Sequence, residues 1–348
     1  MLHITRNQRI YVVSPYFNTG GPKTLHQLAD ILSKMGVETY IYYYDNHSDT
    51  MLFEDCSAKI CHKIIDDWDS IIIIPETISN FMNGFSNACI VIWWLSLDYY
   101  FTQAAYGNTK CNMAQNRKTL PYVFFKSVVK WIISKDYAHL FFPMNRKKLN
   151  SCYHFYNCEY INHYLVKQNI SDSKKHFLCG PLEQRFLNLD KSSIIKKKEN
   201  IVAYNPSKID FEYLKRIKRE VEKLDNTIVF LPIQNMTRDE VIAGLLKSKV
   251  YIDFGYFPGP ERMPREAAML YCNIITSTSG SAKNDIDVPI PEKHKFDKKR
   301  KNVKTIANLI IDMTNRFSDY TEYQDRYREK VQTQILTFEE TVREIFWE

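Results

Sequence analysis

No CxxC pair occurs in this chain. Its eight cysteines stand at positions 56, 61, 89, 111, 152, 158, 179 and 272, and no interval among them matches a zinc loop or a redox dithiol. Cys152, His154, Cys158 and His163 invite assembly into a metal set, but their spacing fits no standard loop and they read as part of a core run. Several thiols sit inside apolar stretches, as buried free cysteines of a reducing cytosol do. Glycine is also scarce, ten residues in 348, and no GxGxxG is present. That argues against a nicotinamide cofactor, whose fingerprint needs a third glycine inside the helix start. No apolar run approaches the length of a spanning helix, and MLHITRNQRIYVV lacks the basic, apolar, small order of a secretory signal. The expectation is a cytoplasmic protein, soluble or at most peripheral on the inner face of the membrane. Positive residues are spread along the chain rather than gathered into a patch with interleaved aromatics, so no nucleic-acid partner is expected.

What is present suits two globular α/β domains. A chain of 348 residues, 45% hydrophobic and 25% charged, is long enough for two cores. The net charge of +7 favours anionic partners such as phosphates. Residues 9–16 form an apolar strand that runs into Asn18-Thr19-Gly20-Gly21-Pro22, and a helix is expected from Lys23 to Met35, closed by Gly36. SIIIIP at 70–75 and CIVIWWL at 89–95 are near-continuous apolar runs, the pattern of parallel strands buried on both faces. Glu76 follows the first run, and Ser96, Asp98 and Tyr99 follow the second. A carboxylate at such a strand end is placed to act as a general base, Asp98 before Glu76. A helix-capping or solvent-facing carboxylate is the competing account of each. LPYVFFKSVVKWIISK at 120–135 reads as a basic amphipathic helix with Lys126 and Lys130 on one side, and it suits either packing on its own domain or a membrane interface. A strand is expected over 138–143.

Gly180-Pro181 and the lysine-rich segment after it mark an exposed connector. Beyond it the pattern restarts. Ile201–Tyr204 is a strand, Asn205-Pro206-Ser207-Lys208 its turn, and 211–223 an amphipathic helix. Thr227–Leu231 is the next strand, and Asp239–Lys247 a short helix capped by Thr237. Ser207 and Lys208 then stand at a strand end with the charge and hydrogen-bonding capacity to hold a diphosphate. The densest stretch is VYIDFGYFPGPERMPREAAMLYCNIITST at 250–278: a strand, a glycine-proline loop, a helix opened by Pro264, and a second strand. Arg262 and Arg265 fall at the helix start and pair with Lys208 as a candidate phosphate site. From Val303 onward the pattern is helical throughout.

That stretch resembles the donor-binding region of GT-B glycosyltransferases, in which a proline-containing loop opens a helix whose glutamate holds the ribose of a nucleotide sugar. YNPSK at 204–208, PIQNMTRDEV at 232–241, DFGYFPGPERMPREAA at 253–268 and GSAKNDIDVPIP at 280–291 are similar to proteins of bacterial surface-polysaccharide loci, those of capsule and lipopolysaccharide. The resemblance implies two Rossmann-like domains with the donor bound between them, mainly on the C-terminal one. It implies a ribose contact for Glu266, base contacts from the segment holding Asn235, and close approach of a ligand at Gly20 and Gly21. Many retaining members carry a second glutamate eight positions before the first. Pro258 stands there, Glu261 is the residue that could substitute, and retention or inversion stays open.

The expected architecture is an N-terminal domain over 1–180, a linker over 181–200, a donor domain over 201–325, and a helical segment over 326–348 that returns to the first domain. The expected activity is transfer of a sugar from a nucleotide-sugar donor to a carbohydrate or lipid-linked acceptor. No cofactor beyond that substrate is expected. Nor is a metal, because the D-x-D spacing at Asp285 and Asp287 lies near a lysine-rich stretch. A nucleotide-sugar epimerase and a non-catalytic glycan-binding protein remain the other readings.

Overall fold

A computed structural model describes residues 8–46, 48–104 and 143–347, together with positions 121, 122, 125, 128, 129, 132 and 133. The expectations for 120–135 and 138–143 therefore lie largely outside the described residues. The chain divides into two compact units, residues 1–180 with 338–348, and residues 181–337.

The first unit is built on a seven-stranded parallel sheet: β1 (Arg9–Ser14), β2 (Glu38–Tyr43), β3 (Lys59–Cys61), β4 (Ser70–Pro75), β5 (Cys89–Trp94), β6 (Tyr153–Tyr156) and β7 (Lys175–Phe177). Their order across the sheet is β3-β2-β1-β4-β5-β6-β7. Strands β1 and β4 are buried along almost their whole length, which accounts for their unbroken apolar runs. The chain reverses direction across the sheet between β1 and β4, the place where a doubly wound sheet opens a crevice. Helix α1 (Gly20–Lys34) follows β1 and ends on Gly36, whose φ of 83° is the left-handed conformation glycine adopts without penalty. The helix Glu159–Lys167 (α2) follows β6. The C-terminal helix Phe338–Phe346 belongs to this unit and seals the core with Phe338, Val342, Ile345 and Phe346. Phe346 meets Phe155 edge to face at 5.8 Å.

His154 is a core histidine. It lies on β6 between the Trp94 indole N–H, 3.0 Å from Nδ1, and the Leu149 carbonyl, 2.9 Å from Nε2. Those partners fix the neutral tautomer, and burial lowers its pKa to about 4. The cysteines among the described residues are free thiols.

The second unit holds a five-stranded parallel sheet: β8 (Glu199–Tyr204), β9 (Val229–Pro232), β10 (Ser248–Asp253), β11 (Asn273–Ser277) and β12 (Lys295–Phe296), ordered β12-β11-β10-β8-β9. Helices α3 (Phe211–Leu224), α4 (Arg238–Lys247), α5 (Arg262–Met269), α6 (Val303–Asn315) and α7 (Asp325–Leu336) accompany it. Thr237 and Glu240 close a reciprocal capping box at the start of α4, which extends the expected cap by a second hydrogen bond. Here the reversal falls between β8 and β10, so the loops after Tyr204 and after Asp253 are neighbours.

The 181–200 segment differs from the exposed connector expected of it. Leu182, Phe186 and Ile194 are buried, the first two in the core of the second unit. Lys196 and Lys197 are exposed, but Lys198 turns its ammonium inward to the carbonyls of Leu245, Ser248 and Leu270 at 3.0, 2.6 and 2.7 Å. The lysine-rich segment thus contains one residue that ties three loop ends together. Only the exposed pair follows the compositional rule.

Candidate functional site

The reversal at β8 and β10 gathers most of the residues singled out in the second half. Asn205 opens the loop after β8, and its Oδ1 accepts from the Ser207 N–H and hydroxyl at 3.0 and 2.7 Å, a side-chain turn that sets up Lys208. Lys208 pairs with Glu261, the residue that caps α5. Burial lowers the Lys208 pKa while Asp253 raises it, and the net effect is downward. Asp253 closes β10, fully buried, with Oδ1 accepting from Gly255 N–H at 2.9 Å and Oδ2 from Tyr251 hydroxyl at 3.2 Å. Its pKa is raised by burial against the pull of Lys208. A side chain at Gly255 would stand 2.8 Å from Lys208 Cβ and 2.9 Å from the Lys208 carbonyl, so the close approach of the two loops requires glycine there.

The loop after β10, GYFPGP, is fastened to the turn after β11. Ser277 Oγ donates to Gly255 O at 2.8 Å, Ser281 Oγ to Gly259 O at 2.8 Å, and Ser281 N–H to Phe257 O at 2.8 Å. Gly280 makes this possible. Its φ is +54°, and a Cβ would fall 1.9 Å from the Phe257 carbonyl oxygen. Gly280→Ala is expected to cost about 3 kcal/mol or more of stability through left-handed strain and steric overlap. Urea denaturation with the m-value unchanged and the midpoint lowered is the expected outcome.

Helix α5 presents Arg262, Arg265 and Glu266 from its first turns. Glu266 has only 3% of its side chain exposed and is held by both nitrogens of Arg238, Nη1 to Oε2 and Nη2 to Oε1, each at 2.7 Å. Arg262 Nε stands 3.8 Å from the same carboxylate. Arg238 also reaches Glu183 at 3.3 Å and lies over the Phe186 ring at 5.5 Å. Burial opposes the charge of Arg238, but Glu266 and Glu183 outweigh it and raise its pKa. Arg262 is more heavily desolvated, with Arg265 close by, and its pKa is lowered to about 10. Arg265 is buried, its Nη1 donating to Gln334 of α7 at 3.2 Å. Asn235 is exposed with φ 55°, a left-handed turn residue after β9.

Arg238 went unnoticed in the sequence. Its signal was its place one residue past a helix cap, directly after a strand end, in the PIQNMTRDEV segment.

In the first unit Glu76 is 1% exposed at the end of β4, and its Oε2 accepts from the Leu95 N–H at 2.8 Å. Burial raises its pKa to about 8 despite the backbone donors. Asp98 is exposed in the first turn of a short helix, Leu97–Phe101, capped by Ser96. It interacts with Tyr160, whose pKa rises to about 12 from burial and then from Asp98. Gly20 and Gly21 are the first two residues of α1, behind a Thr19 whose side chain makes no capping bond. The described glycines with positive φ are Gly36 and Gly280, so no tight turn requires glycine at 20 and 21. A Cβ on Gly21 would meet only Leu95 Cδ1, at an ordinary 3.6 Å.

Asp285 and Asp287 do not stand open side by side. Asp285 pairs with the buried Lys295 at 2.9 Å, and Asp287 accepts from Asn284 at 2.8 Å. Among the described residues no group of three or more histidine, cysteine, aspartate or glutamate side chains is placed to hold a metal ion.

Compared with solved structures, the chain matches sucrose-phosphate synthase from Thermosynechococcus elongatus with a TM-score of 0.60 at 12% identity, covering 97% of both chains. It matches Anabaena HepE, solved with UDP-glucose, with a TM-score of 0.55 at 11% identity, over 97% of this chain and 98% of that one. WaaG, a glycosyltransferase involved in lipopolysaccharide biosynthesis, matches with a TM-score of 0.53 at 11% identity, over 97% and 99%. The fold is GT-B. No protein-family model and no curated protein sequence matches the chain. The GT-B architecture thus persists here at an identity where the fold alone is carried over. It also accounts for the final helix, which in this chain lies in the first unit after the second is complete.

Proposed function

We propose that the protein is a glycosyltransferase that moves a sugar from a nucleotide-sugar donor to a carbohydrate or lipid-linked acceptor in bacterial surface-polysaccharide synthesis. The observation that carries this reading is the constellation at the β8/β10 reversal: a buried glutamate on the first turns of α5 held by Arg238 and Arg262, with the Lys208–Glu261 pair at the start of the same helix. In the proposed mechanism Glu266 accepts from the ribose hydroxyls. Lys208, Ser207, Arg262 and the N-terminus of α5 stabilise the diphosphate as the bond from the sugar C1 to phosphate breaks. Arg265, bonded to Gln334, adds its charge to the same end of the helix. The loop at Asn235 borders the base.

Asp98 takes the proton of the acceptor hydroxyl as that oxygen bonds to C1. Its exposure supports this role better than that of Glu76, which the Leu95 N–H already holds. At Gly20 and Gly21 the backbone conformation does not require glycine, and at Gly21 neighbouring protein leaves room for a side chain, which supports close approach of a ligand to the first turn of α1. The reaction proceeds without metal in this reading, since the D-x-D carboxylates are occupied by Lys295 and Asn284.

The likeness to WaaG supports the surface-polysaccharide setting. Among the described residues no helix is long and apolar enough to cross a membrane. The exposure of Phe125, Ile132 and Ile133 supports peripheral contact with a lipid surface, where a lipid-linked acceptor would be met.

The test is release of nucleoside diphosphate from a panel of nucleotide sugars, with and without glycan acceptors. Acceptor-dependent release is expected, and Asp98→Asn is expected to lower kcat about 100-fold or more with the donor Kd unchanged. Release that ignores the acceptor would favour the epimerase reading. Binding without any turnover would favour the glycan-binding one.

A further inference from the structure

Lys208, the cation best placed by the chain to meet a diphosphate, is not idle. Its ammonium is engaged by the Glu261 carboxylate. Glu261 stands at the cap position of α5, yet its side chain makes no capping bond to the helix; it reaches across to the loop after β8 instead. The two side chains are 29% and 17% exposed, so the pair is partly withdrawn from water and from salt screening. Of the other carboxylates nearby, Glu266 is paired with Arg238 and Arg262 and Glu183 with Arg238, while Asp253, bonded to Tyr251 and the Gly255 N–H, also acts on Lys208 through its charge but makes no ion-pair contact with it.

Resting on the donor-site reading above, we infer that Glu261 is a resident counter-ion occupying the phosphate's place on Lys208, and that an incoming nucleoside diphosphate displaces it. The exchange is favoured by what each anion brings. A diphosphate offers more charge and more acceptor oxygens than one carboxylate, and it also reaches the free N–H groups of α5. An anion with a single weak charge gains too little to dislodge Glu261. The pair thereby sets a threshold that selects diphosphate over monoanionic metabolites, and it keeps Lys208 compensated in the empty protein. Release of Glu261 on binding and its return on departure make the exchange part of each donor cycle.

The exchange separates cleanly from simple repulsion between Glu261 and the ligand. Isothermal titration would use UDP, GDP, ADP and dTDP against the full-length protein and its Glu261→Gln, Lys208→Met and doubly substituted variants. For whichever nucleotide binds, Glu261→Gln is expected to tighten Kd about 10-fold when Lys208 is present, and to change it less than about 2-fold in the Lys208→Met background. Equal tightening in both backgrounds would mean a field effect independent of Lys208 and would overturn the exchange. Weakened or unchanged binding in Glu261→Gln would overturn it also. If none of the nucleotides binds the unsubstituted protein, the donor-site reading itself fails, an outcome distinct from either of those.

Discussion

Arg238→Met is expected to lower the unfolding free energy by about 3 kcal/mol and to abolish stabilisation by nucleotide. The first effect follows from burial. Glu266 is almost wholly withdrawn from solvent and Arg238 supplies both of its close charged hydrogen bonds, while Arg262 stands farther away at 3.8 Å. Removing one partner of a buried pair leaves an uncompensated charge, which costs about 3–5 kcal/mol when burial is complete. The partial exposure of Arg238 and the nearness of Arg262 place this case at the low end. The second effect follows from orientation, because a carboxylate no longer clamped by a planar guanidinium does not hold one geometry towards the ribose of the proposed donor. The two effects part company in Arg238→Met with Glu266→Leu. The double variant removes the buried carboxylate together with its guanidinium, while Arg262 loses its 3.8 Å partner, so it is expected to regain part of the lost stability and none of the nucleotide binding. Urea denaturation and thermal shift on the same samples read both. Full nucleotide binding by either variant would remove Arg238 and Glu266 from the donor site.

Glu76→Gln is expected to change how stability depends on pH. The Glu76 carboxyl is fully buried and its pKa lies near 8, against an ordinary 4.5, so between those values the folded protein holds a proton that the unfolded chain releases. The associated stabilisation is complete below about pH 4.5 and is lost as pH rises through 8, amounting to on the order of 5 kcal/mol. Buried neutral His154 and His294, with pKa values lowered to about 4, act in the opposite sense below their ordinary 6.5. They are present in both proteins. The difference between native protein and variant therefore isolates Glu76: the variant should gain relative stability steadily from pH 5 to pH 8. Parallel profiles would mean that Glu76 ionises as freely in the folded state as in the unfolded one.

How far the sequence carried these conclusions depended on the kind of signal each feature leaves. The long buried strands β1, β4 and β5 were legible because burial on both faces writes an unbroken apolar run. Strands β3, β7 and β12, of three, three and two residues, leave no periodic pattern and exist because neighbouring strands offer them an edge. Gly36 was readable as a helix stop. Gly20 and Gly21 were not readable as helix, since glycine lowers local helix propensity and the α1 boundary is set by tertiary packing. Within the site, Lys208, Arg262 and Glu266 could be singled out by their place after strands. Their partners could not. Arg238 meets Glu266 across 28 positions and Glu261 meets Lys208 across 53, pairings that only the parallel order of β8 and β10 with their loops creates. The burial of Leu182 and Phe186 and the inward turn of the Lys198 ammonium were hidden for a related reason: a polar, proline-marked segment resembles a connector until a core is seen to cover it.

The central claim is that this fold binds a nucleotide sugar at Glu266, and the most direct measurement is calorimetric titration of a nucleotide and nucleotide-sugar panel into the native protein and Glu266→Ala. One base is expected to bind in the micromolar to low-millimolar range, with the same heat profile for its nucleotide sugar, and Glu266→Ala should weaken that Kd at least about 100-fold, or roughly 2.7 kcal/mol. Binding of equal strength by native protein and Glu266→Ala, or no binding of any nucleotide by folded native protein at millimolar concentration, would contradict it.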